Sequence, residues 1–419
     1  MQALERAFHL AEQAPAGPVY LTVPREVMMA PLAEEPSRSR PTRRSRKSAD
    51  RSNLARAVQM ILDCQNPILL ASRSGADPES VAALVNFCEL AAIPVVETRH
   101  RMNFPHSHPL HLGFSANAFL PQADLVIMLD HHVPWIPNQW KPEAHCKIIQ
   151  IDCDTQKSSI PIWGFPVDLS LESEAVEALT QLSEGLTRCL DQSGRRKVEE
   201  RRQAVQSRHQ ELRARWKEDA ISSSNDRPVS ARWFFHRLNS FLDEQALVVC
   251  DAATNNPAAW KYLTLDRPGS FFQSLGSCLG WGLGAAIGAG LAAPERQIVA
   301  ILGDGSWMFA NPLAAYETAR EQGVTFLTVV LNNTQYAAIV EAVCSVAPGG
   351  YARDSGNYPG CSLPSPGYYA RIGQAAGLWT RCVLEPGEVN GVLREAFEVL
   401  NQGRSALVEV HVSANHGRS

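Results

Sequence analysis

The chain has 419 residues, of which 45% are hydrophobic and 20% are charged, and its formal net charge is −4. This length predicts two to three domains of an ordinary globular protein with a sizeable core. The charge argues against nucleic acid or an anionic membrane as a partner. The longest apolar stretches have the length of strands rather than the ~20 residues of a membrane span.

The ten cysteines are scattered, and no two of them form a Cys-x-x-Cys pair. A zinc or thioredoxin-like cysteine site is therefore not expected. The beginning of the sequence shows no signal peptide, and Glu5 and Glu12 argue against a mitochondrial presequence. We expect free thiols in a reducing compartment, and hence a cytoplasmic protein.

Residues 31–50 are predicted to form a linker, because Pro31, Pro36 and Pro41 interrupt any regular pattern. A basic run in and just after this segment indicates either a nuclear-localisation or nucleic-acid patch, or a solvated linker between domains. The charge pattern favours the linker. The members of the run are Arg38, Arg40, Arg43, Arg44, Arg46, Lys47 and Arg51.

Residues 51–185 alternate between helical and strand-like patterns, which is typical of a parallel sheet in an α/β domain. The polar residues 186–226 predict a long exposed helix that links two domains. Several histidines fall in or near the first of these regions, in a spacing that matches no zinc pattern, so surface or loop positions are favoured over a metal cluster. They are His100, His106, His108, His111, His131 and His132.

Two polar motifs follow short β-branched runs in residues 227–419, which are predicted to form a second α/β domain. Gly303-Asp304-Gly305-Ser306 follows the run 298–302, and Asn332-Asn333 follows the run 325–331. A helical pattern lies between them, so this is a βαβ unit with an acid and an amide at strand ends. A lone Gly-Asp-Gly is often only a turn, but the pair at this separation favours a ligand site.

The chemistry of the two motifs suits a metal-bound diphosphate. Asp304 and Asn333 supply hard oxygen atoms, which Mg²⁺ prefers, and Mg²⁺ commonly bridges to phosphates. The glycines on both sides of Asp304 let a diphosphate approach the backbone closely.

The Gly-Asp-Gly…Asn-Asn arrangement resembles the thiamine diphosphate motif of the superfamily that contains acetolactate synthase, benzoylformate decarboxylase and pyruvate decarboxylase. Residues 275–290 look like the glycine-rich segment that precedes this motif, and residues 124–129 and 148–152 look like strands of the family's central domain. Residues 17–24 look like the last strand of its first, pyrimidine-binding domain. The resemblance implies an α/β fold with two parallel-sheet three-layer domains and a remnant of a third.

The resemblance also divides the chain. It implies that residues 1–30 are the C-terminal remnant of the pyrimidine-binding domain and that residues 51–185 are the central domain. Residues 227–419 are then the domain that binds diphosphate and Mg²⁺. Flavin is not expected, because residues 113–116 and 131–135 differ from the segments that the flavin-containing acetolactate synthases carry in roughly those places.

By resemblance, the Mg²⁺ ligands are Asp304, Asn333 and the backbone carbonyl of Gln335. Leu279 aligns with an apolar residue that props the cofactor, although ordinary core packing explains a leucine equally well. Ala338 and Ile339 are assigned to the substrate pocket. The full set implied for the cofactor is Gly276, Ser277, Leu279, Gly280, Gly303, Asp304, Gly305, Ser306, Asn333, Gln335 and Tyr336.

Ile339 stands where pyruvate decarboxylases carry a glutamate, so the pocket resembles those of benzoylformate decarboxylase and acetolactate synthase. The implied function is a thiamine diphosphate- and Mg²⁺-dependent lyase or transferase that decarboxylates or joins 2-oxo acids. No residue matches the family's activating glutamate, so no catalytic residue is assigned and this chain alone is expected to be inactive. The alternative is a non-catalytic or partner-dependent cofactor-binding subunit. We expect a homo-oligomer, or a chain that needs a pyrimidine-domain partner.

Overall fold

The structure is a computed structural model, and it describes residues 2–31, 45–98, 100–274, 276 and 278–414. The helices are α1 (Gln2–Glu12), α2 (Arg25–Met29), α3 (Arg51–Asp63), α4 (Pro78–Ala91), α5 (Ala175–Cys189), α6 (Gln192–Ser222), α7 (Ala231–Leu238), α8 (Asn256–Tyr262), α9 (Trp281–Ala292), α10 (Asp304–Phe309), α11 (Pro312–Glu321), α12 (Ala337–Val346), α13 (Tyr351–Ser355), α14 (Tyr368–Ala375) and α15 (Val389–Asn401). The strands are β1 (Pro67–Ala71), β2 (Val95–Glu97), β3 (Leu125–Leu129), β4 (Lys147–Asp152), β5 (Leu169–Glu172), β6 (Leu247–Asp251), β7 (Phe271–Gln273), β8 (Ile298–Gly303), β9 (Leu327–Asn332), β10 (Trp379–Val383) and β11 (Ala406–His411).

The chain forms two compact units. The first comprises residues 1–74, 82–93 and 116–198. Within it, β1, β3, β4 and β5 pair in that order, all in parallel. Every residue of β1 and β3 is buried, because helices cover both faces of a parallel sheet and both faces must therefore be apolar.

The second unit comprises residues 75–81, 94–115 and 199–419, and its parallel sheet has the order β10-β11-β9-β8-β6-β7. Alternate residues of each strand point into two separate cores. On β6, Val248 packs in a core with residues of α7, α8 and α15, whereas Val249 packs in a core with residues of α9, α11 and α14. The unit thus has three layers, and the predicted α/β class with two parallel sheets is confirmed.

The polar segment predicted as a long helix is helical from Gln192 to Ser222. It is not exposed all round, since Val205, His209, Trp216 and Ala220 along it are buried. No helix of the described residues combines the length and the apolar character that crossing a bilayer requires.

One expectation is wrong. Residues 17–24 form no strand and are all exposed, because a strand requires neighbours for its hydrogen bonds and none of the described residues pairs with this segment. His106, His111 and His131 lie in loops, which is one of the two predicted kinds of position, but they are buried, at 4%, 0% and 4% exposure. Most of the predicted basic linker, residues 32–44, lies outside the described residues. In the described part, Lys47 contacts the Cys153 carbonyl and the Glu172 carboxylate.

Candidate active site

The two polar motifs meet at the carboxyl edge of the sheet in the second unit. From β6 the chain runs first to β7 on one side and then to β8 on the other side, so the strand order reverses at β6. The crevice at such a reversal is where open α/β sheets bind ligands. Asp251 ends β6, and Asp304 directly follows β8.

Asp304 is the buried acid of this crevice, with only 4% of its surface exposed. One carboxylate oxygen, Oδ1, accepts the amide of Gly305 at 2.9 Å, and Oδ2 accepts the amide of Asn333 at 3.1 Å. Burial raises the pKa of Asp304 to about 6, although the backbone amides of Gly305, Thr334 and Asn333 partly offset that rise. Among the described residues, its hydrogen-bond partners are amides and not cationic side chains.

The two asparagines at the end of β9 have different surroundings. Asn332 is fully buried, and its side chain donates to Glu409 Oε1 at 2.9 Å and accepts the Thr334 amide at 2.9 Å. Asn333 is 8% exposed, and its Oδ1 accepts the Gln335 amide at 3.1 Å. The hydrogen bonds of Asn332 therefore stabilise the end of β9, whereas Asn333 lines the cavity beside Asp304.

Two glycines at the site are required by packing. Gly280 has φ +91°, and an added Cβ would lie 2.6 Å from the Phe309 backbone. Gly305 has no room for a side chain because the ring of Tyr336 would lie 2.6 Å from its Cβ. Gly303, by contrast, has no neighbour closer than 3.9 Å to such a Cβ, so it meets no such restriction.

A cavity of about 570 Å³ opens here, and all of its lining residues belong to the second unit. This volume is within the range of ligand pockets. Of the predicted site residues, Gly280 lies beside the lining rather than in it, and Ser277 lies outside the described residues. The structure brings the others together on the wall: Gly276, Leu279, Gly303, Asp304, Gly305, Ser306, Asn333, Gln335, Tyr336, Ala338 and Ile339.

Asp251 is a residue that the sequence analysis missed. Its Oδ2 accepts the amides of Gly280 and Gly282 at 3.1 and 3.2 Å, which fixes the turn that leads into α9. Burial raises the pKa of Asp251, and hydrogen bonds that include one from Ser306 oppose the rise. The signal was present in the sequence, because an acid at the end of a strand is the pattern that identified Asp304.

Other polar residues of the wall were also missed. The turn after β6 contributes Thr254, Asn255 and Asn256, and the cavity is further lined by His100, Gln273 and Glu341. The run Asp251-Ala-Ala-Thr-Asn-Asn after a strand could have indicated the first group. His100 precedes the glycine-rich segment by more than 170 residues, so only the fold could reveal it.

A loop that follows α12 is held to the site by hydrogen bonds. Residues 351–366 include α13, and the amide of Tyr336 donates to the Cys361 carbonyl at 2.8 Å. The Leu363 amide donates to the Thr334 carbonyl at 2.7 Å. These contacts hold the Asn333–Tyr336 turn in place.

The donor set suits a hard divalent cation. The Asp304 carboxylate is buried, and its hydrogen-bond partners among the described residues are amides rather than cationic side chains. This carboxylate and the side-chain oxygen of Asn333 are atoms that could bind such a cation. Because burial raises the pKa of Asp304, a bound cation would compensate the charge that the fold leaves buried. The cavity beside these ligands has room for a cofactor-sized molecule.

Comparison with known proteins identifies two domains. The model of the thiamine pyrophosphate enzyme central domain matches residues 54–182, and that of the thiamine pyrophosphate enzyme C-terminal TPP binding domain matches residues 251–410. Glyoxylate carboligase of Escherichia coli O157:H7 is 24% identical over 81% of this chain and 57% of its own length. The acetolactate synthase large subunit of Corynebacterium glutamicum is 24% identical over 95% of this chain and 63% of its own. The chain thus spans about three fifths of the length of these relatives.

Solved structures share the fold. Benzoylformate decarboxylase from Polynucleobacter necessarius superposes with a TM-score of 0.74 at 20% identity, over 99% of this chain and 73% of the other. A thiamin diphosphate-dependent enzyme from Mycobacterium smegmatis, described as putative, gives 0.73 at 22% identity, over 98% and 73%. Because the two domain models together match well over half of its residues, this chain belongs to the thiamine pyrophosphate enzyme family.

Proposed function

We propose that this chain binds Mg²⁺ and the diphosphate of thiamine diphosphate through Asp304, Asn333 and Gln335, and that it serves a reaction of 2-oxo acids. The observation that carries the proposal is the pair formed by Asp304 and Asn333. They follow neighbouring strands, they are joined by the 3.1 Å hydrogen bond from the Asn333 amide to Asp304 Oδ2, and they line the 570 Å³ cavity. Both are oxygen donors of the kind that Mg²⁺ prefers.

The wall residues have complementary roles in this proposal. Ser306 and the amides around Gly305 would donate to diphosphate oxygens at the start of α10, and Leu279 would support the folded cofactor. When bound, the cofactor supplies the electron sink for decarboxylation or carboligation. Ala338 and Ile339 offer an apolar surface to a 2-oxo acid, in keeping with the relatives named as acetolactate synthase and benzoylformate decarboxylase.

Calorimetric titration of the chain with thiamine diphosphate tests the cation site. We expect binding only in the presence of Mg²⁺, and we expect Asp304→Ala to abolish it. The matched control is Asp243→Asn, which changes an exposed acid of the same unit that does not line the cavity. Unchanged affinity in Asp304→Ala, or equal affinity with and without Mg²⁺, would refute the ligand assignment.

We further propose that turnover requires a pyrimidine-binding domain that these 419 residues do not supply. The acids of the cavity wall among the described residues are Asp251, Asp304 and Glu341, and the resemblance matches none of them to the family's activating glutamate. Because of this, CO₂ release from pyruvate or benzoylformate should stay at background for the chain alone. Adding a pyrimidine-binding domain from a relative should raise it. Cofactor binding without turnover in either case would favour the non-catalytic subunit instead.

Assembly with another chain or domain is part of the same proposal. Two helices of the second unit, α9 and α12, leave apolar side chains exposed, including Leu291, Ile339 and Val346 at 54%, 56% and 86%. Such a surface commonly marks an interface. Sedimentation should show an oligomer or a poorly soluble chain, and a stable monomer at micromolar concentration would contradict this. The ten free cysteines support a reducing cytoplasm as its location.

A further inference from the structure

A buried carboxylate and two buried imidazoles converge in the second unit, away from the thiamine diphosphate site. Glu97 ends β2, and His106 and His111 lie in the loop that follows. The Nε2 atom of His106 is 2.9 Å from Glu97 Oε1, and the Nε2 atom of His111 is 3.0 Å from the same oxygen. The three side chains are 1%, 5% and 0% exposed, and their ligand atoms all lie within 4.8 Å of one another.

Groups around the cluster hold two of the three side chains in orientation. Glu97 Oε2 accepts the amide of Asn103 at 2.7 Å, which fixes the carboxylate. The Nδ1 atom of His106 lies 3.0 Å from the Leu263 carbonyl and 3.3 Å from the Leu265 amide nitrogen. Nδ1 can donate to this carbonyl or accept from this amide, and either contact anchors the ring. Metal-binding histidines are oriented by carbonyl groups in this way.

The carboxylate at the centre of the cluster needs partners for its charge. Both His106 Nε2 and His111 Nε2 face Glu97 Oε1, at 2.9 and 3.0 Å, so a proton or a cation shared with the imidazoles lies at this oxygen. Burial of Glu97 makes the same demand, since a buried carboxylate without compensation is costly.

We propose that Glu97, His106 and His111 bind one divalent cation of the zinc class. Two imidazole nitrogens and one carboxylate oxygen are a recurrent zinc ligand set, with bonds of about 2.0–2.2 Å. Here the carboxylate oxygen lies 2.9 and 3.0 Å from the two nitrogens. The set differs from the all-oxygen set at Asp304, and imidazole nitrogen selects zinc-like ions over Mg²⁺. The two sites therefore take different metals.

The role of this cation is structural. The ring of Phe114 lies edge-on to both imidazoles, at 5.2 Å from each centroid, and covers the cluster with apolar surface. The same loop carries His100, which lines the cofactor cavity. The carbonyl of His100 accepts the Gln273 amide at 3.0 Å. The cation would thus hold one wall of the cavity. The inference does not rest on the proposed function.

Metal analysis of the full chain tests the site. The protein is stripped with a chelator and then dialysed against equimolar Zn²⁺ with excess Mg²⁺ present. We expect about one Zn²⁺ to be retained per chain. Glu97→Gln should weaken binding by at least about 100-fold, because loss of an outer-shell partner alone costs about 10- to 100-fold. His111→Asn should behave alike, whereas the control His145→Asn, which changes an exposed histidine, should retain the metal.

A second measurement does not depend on the folding of any variant. Co²⁺ bound to the wild-type chain should give the visible absorption of a four-coordinate site without thiolate charge-transfer bands, which separates this cluster from the ten cysteines. Three results would each overturn the proposal: a wild-type chain that retains no Zn²⁺, a thiolate signature in the Co²⁺ spectrum, or undiminished retention by a folded Glu97→Gln variant. If the wild-type chain retains no Zn²⁺, a proton rather than a metal ion compensates the charge of Glu97.

Discussion

The two units each place acidic side chains at the carboxyl edge of a parallel sheet, but they treat the charge differently. In the first unit, Asp152 ends β4 and forms a buried ion pair with Lys157. Asp130, which follows β3, has its pKa raised to about 7 by burial and by the nearby Asp152. In the second unit, Asp304 is equally buried, its hydrogen-bond partners among the described residues are amides, and it faces a cavity.

The comparison shows how a sheet edge with a structural role differs from a sheet edge that can bind a ligand. We call the first a structural edge and the second a binding edge. Where a lysine neutralises the acid from within, no ligand is needed. Where the acid keeps its charge beside an open volume, the fold leaves a stabilising interaction for a cation to supply. Burying a charged carboxylate costs free energy at either edge. The group that neutralises its charge therefore distinguishes a structural role from a binding role.

The largest effect is expected at the ion pair of the first unit. Lys157→Met should lower the free energy of unfolding by about 3–5 kcal/mol, because Asp152 is then left buried without a partner. Urea denaturation measures this. The control is Lys147→Met, which breaks the exposed pair with Asp168 and should cost at most about 1 kcal/mol.

The double variant Lys157→Met/Asp152→Asn sharpens the same prediction. Because it removes both charges, most of the stability should return. If the single and double variants are equally destabilised, lysine packing rather than charge compensation explains the first unit, and the comparison fails.

The next effect concerns the backbone at the binding edge. Gly280→Ala should cost about 2–4 kcal/mol, since the left-handed conformation and the 2.6 Å approach to Phe309 both penalise a Cβ. Gly391→Ala is the control: this glycine lies in α15 with nothing within 4 Å of an added Cβ, so alanine should stabilise slightly. Equal stability of the two variants by thermal unfolding would contradict the structure here.

The smallest effect is expected at Asp304, where a substitution should raise the free energy of unfolding rather than lower it. The pKa of Asp304 is raised to about 6 in the folded state, so folding favours its protonated form and stability is lost as pH rises from about 4 through 6. Asp304→Asn mimics that form and should stabilise the chain, without added Mg²⁺, by about 1–3 kcal/mol at pH 7 and hardly at all at pH 4. Denaturation at both pH values measures this.

Asp154→Asn in the first unit is the matched comparison. Hydrogen bonds from Ser158 outweigh burial and lower the pKa of Asp154, so its stabilising contribution is present at pH 7 and is lost as pH falls. This variant should therefore destabilise at neutral pH. If Asp304→Asn and Asp154→Asn shift the free energy of unfolding at pH 7 in the same direction, the two sheet edges do not differ as described.

Part of the site could be predicted because its signal is local. Asp304 and Asn333 each follow a β-branched run, and parallel strand ends share one edge of a sheet whatever the rest of the fold does. Asp251 carried the same signal, together with the polar run Thr254-Asn255-Asn256 just after it, but the sequence analysis did not use it. The glycine at position 305 was predicted to admit a diphosphate, whereas the structure shows that the ring of Tyr336 already excludes a side chain there.

The sequence by itself determined the fold class and the domain that carries the cofactor motif, because these follow from periodicity and from residues close together in the chain. The family resemblance added eleven of the 24 described residues that line the cavity. Only the tertiary structure decided which charges are compensated. Lys157 beside Asp152, and Glu97 between His106 and His111, depend on loop paths that no periodicity encodes. Electrostatic compensation acts through space, so the contrast between the two sheet edges could be read only once the chain was folded.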